Sequence, residues 1–298
     1  MKIASATCDF ATIRREKSFY VDKTMYLPKL EGLSGKFQIF LRPRRFGKST
    51  LLSMLEKYYD IALANRFDGL FGGLWIHENP TPEKNQYLVL HLDFSPVASE
   101  GTEAEIRRSF ASQVNARLGI FIHRYATVVP ELVSLVPLID SNPEDIATTM
   151  TNLSSVVERA NRQVYLFIDE YDHFGNRLIS DGLLDVYQTI VRSAGFLRSF
   201  YAALEAFTSS GTLARMFVTG VSPIMLDDLS SGFNIITHIS QQSEFNGLAG
   251  FTAADVERGV DILDKHRRRS RTAYKRIHAF EQSRFAVRRD NRAFSALG

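Results

Sequence analysis

The residue types that could do chemistry are concentrated in a short basic turn. Residues 42–49 read RPRRFGKS, so that a glycine, a lysine and a hydroxyl side chain follow one another at Gly47, Lys48 and Ser49. Backbone N–H groups of such a turn, and of a helix that starts there, can bind phosphate oxygens. The lysine supplies a cation for the β- and γ-phosphates and the serine a ligand for Mg²⁺. The turn is therefore a candidate phosphate-binding loop.

The loop pattern G-x-x-x-x-G-K-[ST] is incomplete, because Arg42 stands where the first glycine is expected. A surface turn that happens to contain Gly-Lys-Ser is the alternative interpretation. The context favours the loop, since the apolar run 37–42 predicts a strand before it and 48–60 predicts a helix after it. Five further side chains are given roles: Arg42, Arg44 and Arg45 add positive potential at the mouth, Phe46 shapes the turn, and Thr50 reaches the α-phosphate.

A pair of acids forms the second candidate group. The apolar run 164–168 ends in Asp169 and Glu170, about 120 residues after the loop. Asp169 is expected to hold Mg²⁺, directly or through water, and Glu170 to position or deprotonate the attacking water. In open α/β sheets, ligands bind at the carboxyl ends of the strands. Two solvated acids at a strand end are the alternative, but the two segments together predict a nucleotide site built from neighbouring strands.

A third apolar run ends in small polar residues, within FVTGVSPI at 217–224. Thr219 is the first choice for a side chain that contacts the γ-phosphate or the water, and Ser222 the second. An ordinary strand end is the alternative, and taken by itself this segment favours that alternative. Asp93, at the end of the run 87–94, could line the site or cap the next helix.

These residues need a scaffold of alternating strands and helices. Such alternation predicts crossover connections and an open parallel sheet that is covered on both faces, because the strands are apolar throughout. The fold predicted is an α/β three-layer sandwich of the P-loop NTPase type with a short helical C-terminal extension. The predicted strands are 37–42, 87–94, 164–170, 215–221 and 233–240, and the predicted helices are 48–60, 102–118, 144–160, 183–208 and 251–263.

Composition narrows the class of protein. The 298 residues are 45% hydrophobic and 23% charged, which is ordinary for a globular chain. One cysteine permits neither an internal disulfide nor a four-cysteine zinc site. No apolar run approaches the roughly 18 residues of a membrane span, and the first residues lack the apolar stretch of a secretory signal. A cytosolic or nuclear protein without a membrane partner is expected.

Charge is distributed unevenly along the chain. Residues 265–298 carry 11 Lys or Arg and 2 Asp or Glu, a net charge of +9, so the remainder of the chain has a net charge of −6. A basic segment with aromatic residues can bind nucleic acid by phosphate contacts and base stacking. A solvated basic tail is the alternative, and the composition favours it modestly.

Several segments, taken in order, resemble the AAA-ATPase-like family, a branch of the P-loop ATPases. The resemblance implies an ATP-binding α/β core with a small helical end, in which an arginine at position 42 is ordinary. It also implies that residues 20–24, with Tyr20 and Asp22, lie near the adenine. The matching segments are 19–24, 41–49, 91–95, 168–172, 219–224 and 250–252, which together span roughly residues 10–263.

The resemblance ends where the basic segment begins. Family members often continue into a region similar to PD-(D/E)xK nucleases, whereas here a basic arm follows, which suggests a truncated or rearranged member. We therefore expect an ATPase domain at 1–263 and an arm at 264–298. Cleavage of nucleic acid is not expected, because residues 264–298 lack the catalytic acids of a PD-(D/E)xK nuclease.

Three functions follow from these patterns. The first is a Mg²⁺-dependent ATPase that drives a conformational or assembly switch, with a homo-oligomer as one form of assembly. The second is a nucleotide-binding switch with little hydrolysis, and the third a nucleic-acid-binding module that uses 265–298. The predicted site comprises Lys48, Glu170 and Thr219 for catalysis; Tyr20, Asp22, Arg45, Phe46, Gly47, Lys48, Ser49 and Thr50 for nucleotide binding; and Ser49 and Asp169 for Mg²⁺.

Overall fold

The computed structural model describes residues 7–192, 195–225 and 235–267, with side chains as far as 260. The chain divides into two compact units. Of the described residues, the larger contains 8–11 and those between 22 and 249, and the smaller contains 7, 12–21 and 250–267. All the predicted site residues except Tyr20 belong to the larger unit.

The larger unit is built on a five-stranded sheet in the order β2-β3-β4-β1-β5, and every neighbouring pair of strands is parallel. The predicted α/β sandwich with a parallel sheet is therefore confirmed. Because all five strands run the same way, their carboxyl ends lie along one edge. The strands are β1 (Phe37–Leu41), β2 (Leu88–Asp93), β3 (Val164–Asp169), β4 (Leu213–Gly220) and β5 (Ile236–His238).

The described residues also form α-helices. They are α1 (Phe10–Arg15), α2 (Leu27–Gly32), α3 (Lys48–Tyr59), α4 (Phe67–Phe71), α5 (Trp75–Glu78), α6 (Glu103–Tyr125), α7 (Leu135–Ser141), α8 (Ile146–Arg159), α9 (His173–Ser180), α10 (Leu184–Val191), α11 (Phe196–Ser209) and α12 (Ala253–Arg267). Short 3₁₀ turns lie at Thr24–Tyr26, Ile61–Arg66, Pro130–Ser134 and Ser243–Phe245.

Alternate side chains of the strands face two different layers, as the period of two in a strand requires. On one face, Leu166 and Ile168 of β3 belong to a core shared with α6, α8 and α11. On the other, Tyr165 lies 4.9 Å from the ring of Tyr59 in α3 and stacks on Phe167. The sheet is therefore buried on both sides, which explains why its strands are apolar without alternation.

The single helix predicted at 183–208 is wrong. The structure has two helices there, α10 ending at Val191 and α11 beginning at Phe196. The N–H of Gly195 donates to the carbonyl of Arg192, and a Cβ at Gly195 would lie 2.0 Å from the carbonyl oxygen of Ile190. The end of α10 thus comes so close to position 195 that only a glycine fits there, and the helix is interrupted.

Other predicted elements differ mainly in length. Helix α6 extends to Tyr125, well beyond the predicted residue 118. In the smaller unit, α12 begins as predicted, because Thr252 and Asp255 cap it reciprocally: the N–H of Thr252 donates to Asp255 Oδ2 at 2.8 Å, and the N–H of Asp255 to Thr252 Oγ1 at 3.2 Å.

Two expectations concern residues that the structure does not describe. Most of the predicted basic arm, 268–298, and residues 233–234 of the predicted fifth strand lie outside the described residues. The nucleic-acid interpretation and the boundary at 263 therefore stay predictions. Within the described part of the chain, no helix has both the length and the apolar character needed to span a membrane.

Candidate functional site

The basic turn connects β1 to α3 at the carboxyl edge of the sheet. Gly47 immediately precedes α3 in a left-handed conformation with φ +87°, and Arg45 is also left-handed with φ 67°. Glycine takes this conformation without steric cost. Nothing lies within 4 Å of the position a Cβ would take at Gly47, and Pro43, Arg44, Arg45 and Gly47 are exposed. The backbone of the turn is therefore accessible, as a phosphate loop requires.

Lys48 does not extend into solvent. Its side chain is only 3% exposed, and Nζ donates to the carbonyl oxygens of Arg42 at 3.0 Å and Pro43 at 3.4 Å. The same atom lies 3.3 Å from Glu170 Oε1. An ammonium group has three donors, so these contacts satisfy it completely. Phosphate oxygens present the same kind of acceptor and could replace them.

The two acids lie at the carboxyl end of β3, directly across from the loop. Asp169 is buried, and its Oδ1 accepts hydrogen bonds from the Thr219 hydroxyl at 2.5 Å and from the N–H of Glu170 at 3.0 Å. No described residue donates to Asp169 Oδ2. Glu170 has φ 50°, which is uncommon for a residue other than glycine, and its side chain is 19% exposed. The 3.3 Å contact between Glu170 and Lys48 brings the loop and the acids together.

Thr219 lies behind Asp169. It is fully buried in β4, and its hydroxyl donates to Asp169 Oδ1. A contact between this hydroxyl and a phosphate stays a prediction; in the structure Thr219 orients the acid. Ser222, the second choice, is half-buried, and its N–H donates to Asp172 Oδ2 at 2.6 Å.

Arg42 is anchored at the start of the loop, and its contribution to the positive potential at the mouth stays a prediction. Its Nη1 donates to the carbonyl oxygens of Leu41 at 2.9 Å and Ser240 at 2.8 Å, and its guanidinium lies 4.4 Å from the centre of the Phe40 ring. Burial lowers the pKa of Arg42. Arg42 therefore anchors the start of the loop to the segment after β5. Arg44, by contrast, is exposed and contacts His173 Nδ1 at 3.2 Å.

Asp22, one of the two residues predicted from the resemblance to lie near the adenine, has a local role in the structure. Asp22 Oδ1 accepts from the N–H of Thr24 at 2.8 Å and from its hydroxyl at 2.7 Å, while Oδ2 accepts from the N–H of Trp75 at 2.7 Å. Asp22 thus joins the turn before α2 to the start of α5. Tyr20 belongs to the smaller unit. The place of the adenine stays a prediction for both residues.

Asp93 is the register partner of Asp169 at the ends of the adjacent strands β2 and β3. Its Oδ1 accepts from the N–H of Ser95 at 2.9 Å. Asp93 does not cap the next helix, because Thr102 caps α6. It forms a local turn and stands beside the site without a described bond to the loop, so the role of lining the site stays a prediction.

Sequence reasoning gave no role to Tyr171 and Asp172, which follow the two acids. Asp172 is fully buried, and its Oδ2 accepts from the N–H groups of Val221 at 3.0 Å and Ser222 at 2.6 Å. The Tyr171 hydroxyl donates to the carbonyl of Ser222 at 2.5 Å. The sequence did contain a signal for this role: Asp172 is a third acid within four residues of the end of the apolar run 164–168.

The residues present suit Mg²⁺ rather than a metal enclosed by protein ligands. Among the described residues, no group of three or more His, Cys, Asp and Glu is arranged to hold a metal ion. Mg²⁺ ordinarily takes one or two protein oxygens together with phosphates and waters. Asp169 Oδ2, with no described donor, and the hydroxyl of Ser49, the second residue of α3, are oxygens of that kind.

Comparison with known proteins gives three findings. A family model described as "Predicted AAA-ATPase" matches residues 5–230. An uncharacterized protein in the vnfD 5′ region of Azotobacter chroococcum mcd 1 is 27% identical over 260 residues, which are 83% of this chain and 42% of that protein. This chain therefore spans less than half the length of that curated relative. No solved structure matches the chain significantly.

Proposed function

Since this chain belongs to the AAA-ATPase-like family, we propose that it binds Mg–ATP at the carboxyl edge of its sheet and hydrolyses it. The observation that carries the proposal is the 3.3 Å contact between Lys48 Nζ and Glu170 Oε1. A cation and a carboxylate meet over an accessible, glycine-containing turn, with the second carboxylate, Asp169, beside them. This is the set of groups that transfer of a phosphoryl group to water requires.

Binding would exchange one set of oxygens for another. The carbonyls of Arg42 and Pro43 and the carboxylate of Glu170 are the acceptors of Lys48. The β- and γ-phosphate oxygens would take their place, while N–H groups of the turn and of the start of α3 bind the phosphates. The exposed Arg44 and Arg45 would add positive potential. Phe46 would shape the turn, and Thr50 would reach the α-phosphate.

Ser49 and Asp169 would hold Mg²⁺, which offsets the negative charge on the phosphate oxygens when it is bound. Asp169 is oriented for this role, because the hydroxyl of Thr219 and the N–H of Glu170 both donate to Oδ1. These bonds leave Oδ2 for the metal or its water. Thr219 would then act through Asp169.

Glu170 has two roles in this proposal. Without nucleotide it is the counter-ion of Lys48, at 3.3 Å. Once phosphate oxygens occupy Lys48, the carboxylate would be released to orient a water molecule and accept its proton. Hydrolysis would thus be coupled to the breaking and re-forming of this ion pair, a change that could drive a conformational or assembly switch.

The decisive experiment compares ATP binding and phosphate release by the wild type, Lys48→Ala and Lys57→Ala. Hydrogen bonds to charged groups contribute about 1.5–3 kcal/mol, so Lys48→Ala should weaken ATP binding by about 10- to 100-fold and abolish phosphate release. Lys57 is the matched control, because it lies on the same helix and is ion-paired with Glu56 at 3.3 Å. Lys57→Ala should bind and hydrolyse ATP as the wild type does.

Equal binding and turnover by the wild type and Lys48→Ala would refute the proposed site. A nucleotide-binding switch with little hydrolysis is the second candidate, favoured by the ion pair that holds Glu170 on Lys48. It predicts that the wild type binds ATP in a Lys48-dependent way but releases phosphate no faster than buffer does.

A further inference from the structure

The four residues at the end of β3 divide into three that are fastened to β4 and one that is not. We propose that Asp172 is a positioning residue: it fastens the end of β3 to the end of β4, and so holds Glu170 in the backbone conformation that directs its carboxylate to the phosphate site. The inference rests on the ATP hydrolysis proposed above and assigns a role to a residue outside the predicted site.

The bonds of Asp172 carry the first step. Asp172 is fully buried, and Oδ2 accepts from the N–H groups of Val221 and Ser222 at 3.0 and 2.6 Å and from Asn176 Nδ2 at 2.6 Å. The partner N–H groups belong to the chain directly after β4. A carboxylate accepts several such bonds more strongly than a neutral group does. One side chain thus joins the ends of two strands and the first turn of α9.

Tyr171 and Gly220 tighten the same junction. The N–H of Tyr171 donates to the carbonyl of Thr219 at 3.0 Å, and its hydroxyl to the carbonyl of Ser222 at 2.5 Å. A Cβ at Gly220 would lie 2.5 Å from both Asp172 Oδ1 and the Tyr171 ring. The strand ends therefore approach so closely that only a glycine fits at position 220.

Glu170 is the exception in this segment. Asp169 accepts from Thr219 in β4, and Tyr171 and Asp172 bond to β4 and the residues after it. Glu170 makes no described bond to β4, has φ 50°, and contacts Lys48 instead. Strained backbone conformations persist where the surrounding structure over-determines them. Here the fastened neighbours on both sides compel the intervening residue to face the loop.

A purely structural junction would show the same bonds, so the test needs a matched buried acid. Asp60 serves, because it is fully buried and accepts from the Tyr125 hydroxyl and the N–H of Ala62, both at 2.8 Å, and from Arg124 at 3.0 Å. It lies at the far end of α3 from Lys48. Asp172→Ala and Asp60→Ala both remove a buried acceptor, and only the first should disturb Glu170.

The experiment measures kcat, KM for ATP and melting temperature for the wild type and both variants. Asp172→Ala should lower kcat by about tenfold or more while KM changes less than about twofold, because misplacing a catalytic group by ~1 Å can cost about 10²-fold. Asp60→Ala should lower the melting temperature comparably and leave kcat unchanged. Should Asp172→Ala not fold, Tyr171→Phe is the milder variant, with a smaller fall in kcat at constant KM.

The possible failures are distinguishable. If the wild type is active, an Asp172→Ala variant with the same kcat overturns the positioning role. Where Asp172→Ala does not fold, a Tyr171→Phe variant with the same kcat overturns it. An equal fall of kcat in Asp172→Ala and Asp60→Ala also overturns it, since loss of stability then explains both. A wild type that hydrolyses no ATP refutes the proposed function itself, and the positioning role with it.

Discussion

The two ends of the same parallel strands each carry a buried cation paired with a glutamate. At the carboxyl end, Lys48 lies 3.3 Å from Glu170, with side chains 3% and 19% exposed. At the amino end, Arg215 lies 2.5 Å from Glu83, with side chains 5% and 26% exposed. By charge and burial the two pairs are nearly alike. Their other partners show why one is a candidate site and the other a structural element.

The amino-end cluster, Arg215 with Glu83, Glu31, Tyr59 and Tyr87, is held together by side chains from separate elements. Glu31 in α2 accepts from the Tyr59 hydroxyl at 2.9 Å, and Glu83 accepts from the Tyr87 hydroxyl at 2.9 Å. Burial raises the pKa of Glu31, and burial together with Glu83 raises the pKa of Tyr87 to about 12. Apart from the bond of Arg215 to the carbonyl of Glu31 at 3.1 Å, each of these bonds joins two side chains, so they serve structure rather than ligand exchange.

The carboxyl-end pair is held by replaceable groups. Two of the three acceptors of Lys48 are carbonyls of an exposed turn, and the third is the carboxylate of a residue in an uncommon backbone conformation. Arg45 and Glu170 have positive φ here, but so does Asn85 between Glu83 and Tyr87 at the amino end. Exchangeable acceptors, rather than backbone conformation, therefore separate the candidate site from the structural cluster.

The largest expected effect comes from Glu170→Gln. Removing a general base typically costs about 10²- to 10⁴-fold in rate, so phosphate release should fall by about that much. ATP affinity should persist or rise, because the phosphates no longer compete with a carboxylate for Lys48. Phosphate release and equilibrium nucleotide binding measure the two effects. Unchanged turnover would show that Glu170 is not the base. The Lys48–Glu170 pair would then have no catalytic role that distinguishes it from the Arg215–Glu83 pair.

Glu83→Gln makes the same substitution at the other end and should act on stability instead. Breaking a buried ion pair by removing one charge costs about 3–5 kcal/mol; about 3 kcal/mol is expected here, because Arg215 keeps its bond to the carbonyl of Glu31 at 3.1 Å. Denaturant unfolding measures the loss. Turnover per folded molecule should match the wild type, and a fall in kcat at constant stability would show that the amino end also serves catalysis.

Gly220→Ala tests how closely the strand ends approach beside the candidate site. The new Cβ would lie 2.5 Å from the Tyr171 ring and Asp172 Oδ1, and overpacking of this kind costs about 1–3 kcal/mol. Gly119→Ala is the control, because Gly119 is exposed in α6 with nothing within 4 Å of its added Cβ. That variant should be neutral or stabilised by up to about 1 kcal/mol. Equal effects of the two substitutions would argue against a tight junction.

Much of this arrangement could be predicted from the sequence. The four longer strands are apolar because both faces of the sheet are buried, so their positions could be predicted to within a few residues. Since parallel strands end at one edge, the encounter of Lys48 with Asp169 and Glu170 followed from the strand assignments. The predicted helix at 183–208 was wrong because its periodicity gives no sign of the turn at Gly195.

The orientations of individual side chains could not be predicted. Arg42 bonds to the carbonyl of Ser240, which is 198 positions away, so its attachment to the segment after β5 depends on where β5 pairs. Thr219 turns to Asp169 because β3 and β4 are neighbours, and the sequence does not specify strand order. That Lys48 folds over its own turn could not be predicted either, because no local sequence pattern distinguishes a carbonyl acceptor from a phosphate acceptor.

The smallest expected effect concerns whether the Tyr87 hydroxyl in the amino-end cluster is shielded from solvent and therefore hard to ionise. A tyrosine in the unfolded chain ionises near pH 10, whereas Tyr87 keeps its proton to about 12 in the folded protein. Between these values the unfolded state loses a proton that the folded state retains. Tyr87 therefore makes the free energy of unfolding fall by up to about 1.4 kcal/mol per pH unit as the pH rises.

Tyr87→Phe should remove that dependence. Below pH 10 the variant should be less stable than the wild type by about 1 kcal/mol, because the hydrogen bond to Glu83 is lost. The difference should shrink and then reverse as the pH approaches 12, and other groups cancel because both proteins contain them. Denaturant unfolding at a series of pH values measures it. A constant difference from pH 8 to 12 would mean that solvent reaches the Tyr87 hydroxyl, and the amino end would then be as open to exchange as the candidate phosphate-binding loop.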